Sequence, residues 1–194
     1  MIYVIRHGET DLNKKKVLQG RSNQPLNEKG REQAQKARDF FISRNIRFDK
    51  VYSSPLDRAV ETARILVGDD KIIIDERLIE MDYGPYEGMD LNSPAKEVMA
   101  FFSDFANTPA PEGMEQLSEV IERAGSFIED LYPRIKEEEN ILISAHAISM
   151  KGILEYLTLA SKGGYWSCYI GNCGIYAFAK TQTGYAVPEE YKAF

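Results

Sequence analysis

The chain has 194 residues, 43% hydrophobic and 28% charged, with 14 glycines and 8 prolines, which excludes a disordered, collagen-like or coiled-coil protein and suits one domain at roughly 150 residues per domain. A formal net charge of −6 argues against nucleic acid as a partner, because that binding is carried by an excess of Lys and Arg. No apolar run approaches the roughly 18 residues of a membrane span, and two cysteines, Cys168 and Cys173, cannot make a disulfide framework and read as reduced thiols of a cytoplasmic protein.

Met1–Arg6 is a short apolar run that reads as a buried strand leading into a polar turn, which leaves no room for a signal peptide. Asn27 caps a predicted helix through Arg44, whose apolar face carries Ala34, Ala37, Phe40 and Phe41. Val51–Ser53 is a second strand. Ser54-Pro55 reads as the start of the next helix, with Ser54 as N-cap. Lys71–Ile74 is a third strand, Pro94–Phe105 a helix, and Glu115 to about Glu138 a long helical pattern with Pro133 inside it. Ile141–Ser144 is a fourth strand and Ile148–Leu159 a helix. Gly174–Lys180 and Tyr185–Val187 close the chain as a hairpin around Thr183-Gly184. Strands alternating with helices predict an α/β fold: a three-layer α/β/α sandwich whose sheet is mostly parallel, with at least one antiparallel strand from the hairpin.

Ligands of open α/β sheets bind beyond the carboxyl ends of the strands. After the first strand come Arg6, His7, Gly8, Glu9 and Thr10. After the second come Ser53, Ser54 and Arg58; past the third, Glu80; after the fourth, His146. Both histidines of the chain therefore meet two arginines and a carboxylate at one sheet edge. Singly, each has an ordinary reading: the arginines as surface or structural ion-pair residues and a histidine as satisfied structure, while Glu80 alone carries almost no signal. Together they suit phosphoryl transfer. Arginine forks match phosphate oxygens, an imidazole can attack phosphorus, and a carboxylic acid can protonate the leaving alcohol and then deprotonate water. The second histidine and the arginines would neutralise transition-state charge. Gly8 would let the backbone approach the phosphate, and helix N-termini after Ser54 and near His146 would add N–H donors.

These residues also resemble a known family. Arg6-His7-Gly8-Glu9-Thr10 resembles the RHG[ES] signature of the histidine phosphatase superfamily, the phosphoglycerate-mutase-like proteins. Asn13, Gln19-Gly20, Pro25-Leu26 and Gly30 resemble the stretch after it. Tyr52 to Ala59 resembles the block with the phosphate-binding Arg. Leu78 to Gly88 resembles the block with the proton donor, and Ser144-Ala145-His146 the block of the second histidine. The resemblance implies a phosphoglycerate-mutase-like fold, His7 as phosphorylated nucleophile, Glu80 as general acid/base, and Arg6, Arg58 and His146 as the phosphate pocket. It extends the substrate-binding set to Gly8, Asn13, Gln19, Gly20 and Ala147. It implies no metal and no cofactor; no H-E-x-x-H run or Walker P-loop is present. Three departures stand out: Ala147 where the family usually has Gly, Lys151 where many members have Arg, and Asn172-Cys173-Gly174, which fits loosely.

The run Tyr83-Gly84-Pro85-Tyr86-Glu87-Gly88 and the short chain resemble the phosphatase branch, so the expected activity is hydrolysis of a small-molecule phosphate monoester. Mutase-type phosphoryl transfer and a non-catalytic phospho-ligand-binding module stay open as alternatives. A lid insertion is expected at about 92–113. Lys14-Lys15-Lys16 and Arg21 read as a solvated face or as a basic rim that recruits an anion. Tyr83, Tyr86, Tyr165 and Trp166 are candidates for an apolar wall. The expected state is a monomer or homodimer.

Overall fold

The computed structural model describes residues 1–68, 72–158 and 164–191. Lys71 and Leu159, predicted ends of a strand and a helix, lie outside these. The strands are β1 (Ile2–Arg6), β2 (Lys50–Ser53), β3 (Ile72–Ile74), β4 (Ile141–Ala145), β5 (Ile175–Phe178), β6 (Lys180–Thr181), β7 (Gly184–Tyr185) and β8 (Glu189–Glu190). Six of them form one sheet in the order β3-β2-β4-β1-β5-β8. The pairs β1–β4, β2–β4 and β2–β3 are parallel; β5 runs antiparallel to β1 and β8.

Alternation along β1 divides the core into two layers. Ile2 and Val4 face one way, with Ile141, Ile143 and Tyr176, onto α5 (Leu117–Leu131) and α6 (Ala147–Leu157). Tyr3 and Ile5 face the other way, with Val51, Leu142 and Ile175, onto α2 (Glu28–Ser43) and α3 (Asp57–Val67). The fold is thus the three-layer α/β arrangement expected, with a mostly parallel sheet. A third apolar cluster lies outside the sheet. In it α4 (Lys96–Ser103) packs Val98 and Phe101 with Met81, Tyr83, Ile148 and Trp166. Among the described residues, no helix is long and apolar enough to cross a membrane.

The differences from the sequence reading have local causes. α1 (Asp11–Lys14), capped by Thr10, is too short to show a periodicity. α3 begins at Asp57, not Ser54, and its N-cap Leu56 makes no side-chain cap bond. The Ser54 hydroxyl is instead 2.7 Å from the His146 ring. The long helical pattern stops at Leu131, where Pro133 enters a three-residue 3-10 turn. The closing hairpin forms only as the β6–β7 pair. Its first predicted strand divides at Ala179, and Lys180 donates to the Tyr132 and Ile135 carbonyls at 2.8 and 2.6 Å, which ties β6 to the end of α5.

Candidate active site

β1 and β4 lie side by side with Arg6 opposite Ala145. The next residue on each strand is a histidine. His7 donates its backbone N–H to the Ala145 carbonyl at 3.0 Å, and the two imidazole centroids are 5.1 Å apart. Both rings are buried, His7 at 4% exposure and His146 at 0%. Their partners fix the tautomers. His7 Nδ1 is 2.7 Å from the Gly8 carbonyl, which can only accept, so Nδ1 carries the proton and the lone pair is on Nε2. Arg58 donates its Nε–H to His146 Nδ1 at 3.2 Å. His146 therefore carries its proton on Nε2 and donates it to Ser54 Oγ. Burial, then the charges of Arg58 and Arg6, hold the His7 pKa well below the usual histidine value. Burial and Arg58 do the same for His146.

Arg58, the second residue of α3, is fully buried. Besides His146 it donates Nη1–H to the Ser22 carbonyl at 2.8 Å and Nη2–H to the Gly20 carbonyl at 2.5 Å. Among the described residues it has no carboxylate partner, and burial brings its pKa down to about 10. Arg6 donates Nη1–H to the Ile170 carbonyl at 2.6 Å. Its Nε is buried without a partner, as are Gln19 Nε2 and Ser22 Oγ. An unmet buried donor costs about 1–3 kcal/mol, a cost that an anion accepting from these two N–H groups and the Ser22 hydroxyl would offset.

Glu80 is buried against the start of α6. Oε1 accepts from the Met81 and Ser149 backbone N–H groups at 2.9 and 3.0 Å, and Oε2 from Ile148 at 3.2 Å. The helix N-terminus near His146, expected to face a phosphate, thus gives two N–H groups to Glu80. Ala147 is the first residue of α6.

The other predicted residues surround this centre. A Cβ on Gly8 would lie 2.4 Å from the Gly30 carbonyl oxygen, and the Gly8 N–H goes to Thr62 Oγ at 3.0 Å. The approach of α2 by itself requires a glycine there. Gly20 gives its N–H to both oxygens of Glu87, at 2.9 and 3.0 Å, and Ser22 adds one at 3.3 Å. Glu87 and Arg58 therefore grip the same loop, one by its N–H groups and the other by its carbonyls. Gln19 Oε1 accepts from Thr10 Oγ, and Asn13 Oδ1 from the Thr10 N–H and Asn172 Nδ2. Asn172 also donates to the His7 carbonyl at 3.1 Å. The sequence reading gave no site role to Glu87 or Asn172, and it took Ser54 for a helix cap. Arg21 pairs with Asp82 at 3.0 Å and Glu115 at 3.5 Å, so it is no free rim charge, whereas Lys14, Lys15 and Lys16 are exposed. Among the described residues no cluster of three His, Cys, Asp or Glu side chains is placed to hold a metal ion.

Two histidines in the whole chain make the tautomers testable. Imidazole NMR should give one Nδ1–H and one Nε2–H ring, neither titrating with the ordinary midpoint near pH 6.5. The unfolded chain takes up both protons near that pH while the folded chain does not, so stability falls as pH drops below about 6.5. A ring titrating with an ordinary midpoint in the folded protein would contradict the arrangement.

A sequence profile described as the histidine phosphatase superfamily (branch 1) matches residues 2–189. The chain is 31% identical over 172 residues to a 2,3-bisphosphoglycerate-dependent phosphoglycerate mutase of Parvibaculum lavamentivorans, which covers 84% of this chain and 81% of that one. It is 41% identical over 144 residues to the fructose-2,6-bisphosphatase TIGAR of Xenopus tropicalis, 71% of this chain and 51% of that one. Phosphoserine phosphatase of Entamoeba histolytica, solved in complex with 3-phosphoglyceric acid, superposes with a TM-score of 0.80 at 25% identity, over 98% of this chain and 94% of that one.

Proposed function

The chain belongs to the histidine phosphatase superfamily, and we propose that it hydrolyses small-molecule phosphomonoesters through a phosphohistidine on His7. The observation that carries this reading is the His7 tautomer. With Nδ1–H given to the Gly8 carbonyl, the lone pair sits on Nε2, beside two guanidinium groups that form no ion pair among the described residues. In the first step Nε2 attacks phosphorus. The ester P–O bond breaks, its electron pair leaves with the alcohol oxygen, and a protonated Glu80 supplies the proton. In the second step water attacks phosphorus and gives a proton to Glu80, and the P–N pair returns to Nε2. Arg58 has five N–H donors, three of them engaged, and Arg6 has more to spare; these neutralise the phosphoryl oxygens. His146 has no spare N–H here and acts by holding Arg58. Charge neutralisation falls to arginine in this reading, so the enzyme needs no metal. Segment 92–113 serves as the lid, with Phe102 and Phe105 packed on Tyr83 and Trp166 at centroid distances of 6.1 Å. The free thiols Cys168 and Cys173 suit a cytoplasmic enzyme.

The test is a quenched reaction with an aryl phosphate in excess chelator. Wild type should turn over unaffected by the chelator and carry an acid-labile, base-stable phosphoryl group on His7. Glu80→Gln should accumulate more of it, because an aryl leaving group needs little acid help while the attacking water loses its base. The product should be inorganic phosphate, with no transfer to added monophosphoglycerate; such transfer would instead make the chain a mutase. Turnover that requires a metal, or that never labels His7, would overturn the mechanism.

A further inference from the structure

A cavity of about 410 Å³ opens between the end of α4 and residues 166–169. Phe102, Phe105, Trp166 and Tyr169 line it, with Lys151 from α6 and Asp104. Two chain segments link its lining to the candidate active site. Arg6 donates to the carbonyl of Ile170, the residue after Tyr169. Ile148 and Ser149, which anchor Glu80, lie within one turn of Lys151 on α6. Burial holds the Lys151 pKa below the usual lysine value, opposed by Cys168, Glu80 and Glu155 and aided by Arg6.

Lys151 is the unusual element. It is only 8% exposed, and a lysine is almost never buried unless paired. Among the described residues it has no carboxylate within ion-pair distance. One N–H goes to the Trp166 carbonyl at 2.7 Å, and the ammonium sits 5.1 Å from the centroid of Phe105. Glu155, one turn further along α6, accepts from the Tyr165 and Trp166 N–H groups at 2.6 and 3.1 Å. The loop backbone is therefore held from both directions, and the ammonium keeps two donors in an aromatic-walled space. Tyr169, 87% exposed, stands at its mouth.

We propose that this cavity is the leaving-group subsite, and that it selects phosphomonoesters whose alcohol combines an apolar or aromatic body with a carboxylate paired to Lys151. The inference rests on the hydrolase reading above. One buried ammonium matches the single charge of a carboxylate. A second phosphate, a dianion, would call for another cation, and the cavity presents Asp104 instead.

The decisive comparison is kcat/KM for para-carboxyphenyl phosphate against its neutral isostere, para-carbamoylphenyl phosphate. Wild type should prefer the carboxylate by roughly tenfold or more, the usual worth of a buried hydrogen bond to a charged group. Lys151→Met should bring the ratio to about one, and Lys151→Arg should keep most of it. Lys151 also holds the Trp166 loop, so a second measurement avoids any variant: para-hydroxybenzoate should inhibit wild type better than para-hydroxybenzamide by a similar factor. A wild-type ratio near one, or a ratio that survives Lys151→Met, would overturn the subsite. Phosphohistidine forming equally well from both esters would sink the subsite alone; no phosphohistidine from any ester would sink the hydrolase reading beneath it.

Discussion

His7→Asn should reduce turnover to background, a loss on the order of a million-fold, as for other covalent nucleophiles. Asn is the informative replacement because its side-chain N–H can still reach the Gly8 carbonyl that holds His7 Nδ1 at 2.7 Å. Local packing is retained, and only the lone pair on Nε2 is removed. Thermal unfolding should therefore move little while turnover and phosphoryl labelling vanish together. His146→Asn makes the contrast. Its side-chain oxygen can still accept from Arg58 Nε, as His146 Nδ1 does at 3.2 Å, so the loss should be about 100- to 1000-fold, the scale of a displaced electrostatic group. A His7→Asn enzyme that retained roughly a thousandth of wild-type turnover would show that chemistry does not pass through that nitrogen.

The meeting of the two histidines is legible in the sequence for a simple reason. Each follows a short apolar run, and parallel strands in one sheet place their carboxyl ends together. The register then sets Arg6 opposite Ala145. Pairings that depend on distant loops were not legible. Glu87 was visible within Tyr86-Glu87-Gly88, yet no local pattern tells that its carboxylate grips the N–H groups of Gly20 and Ser22. Ser54 carried the residue type of a helix cap, which is also the type that accepts from an imidazole; only the fold separates the two. The close approach of the Gly30 backbone to Gly8 likewise joins segments that no local pattern connects. Neither a solvated face nor a basic rim describes Arg21, because Asp82 and Glu115 are remote in sequence and adjacent in space. Lys151 stands out in the sequence only as a departure from Arg; that it is a buried cation at an aromatic cavity depends on the packing of α6 against residues 166–169.

Arg58→Met should lower kcat/KM by about a thousand- to a hundred-thousand-fold, the range for an arginine that stabilises a transferring phosphoryl group. Arg58→Lys should lose nearly as much. A lysine presents one ammonium, and no single ammonium can meet His146 Nδ1 and the Ser22 and Gly20 carbonyls from their three directions. Stability should respond far less than activity. The Met variant leaves those three acceptors unmet, at about 1–3 kcal/mol each, but it also removes a fully buried charge whose pKa burial has brought down to about 10. The two changes oppose each other. A second readout identifies the electrostatic part. Arg58 is, after burial, the leading cause of the depressed pKa of both His7 and His146. Its removal should move both imidazole titrations up toward pH 6.5. Lost activity with unmoved titrations would mean that Arg58 only props the Gly20–Ser22 loop. Lost activity together with raised titrations would mean that its charge acts on the reacting centre.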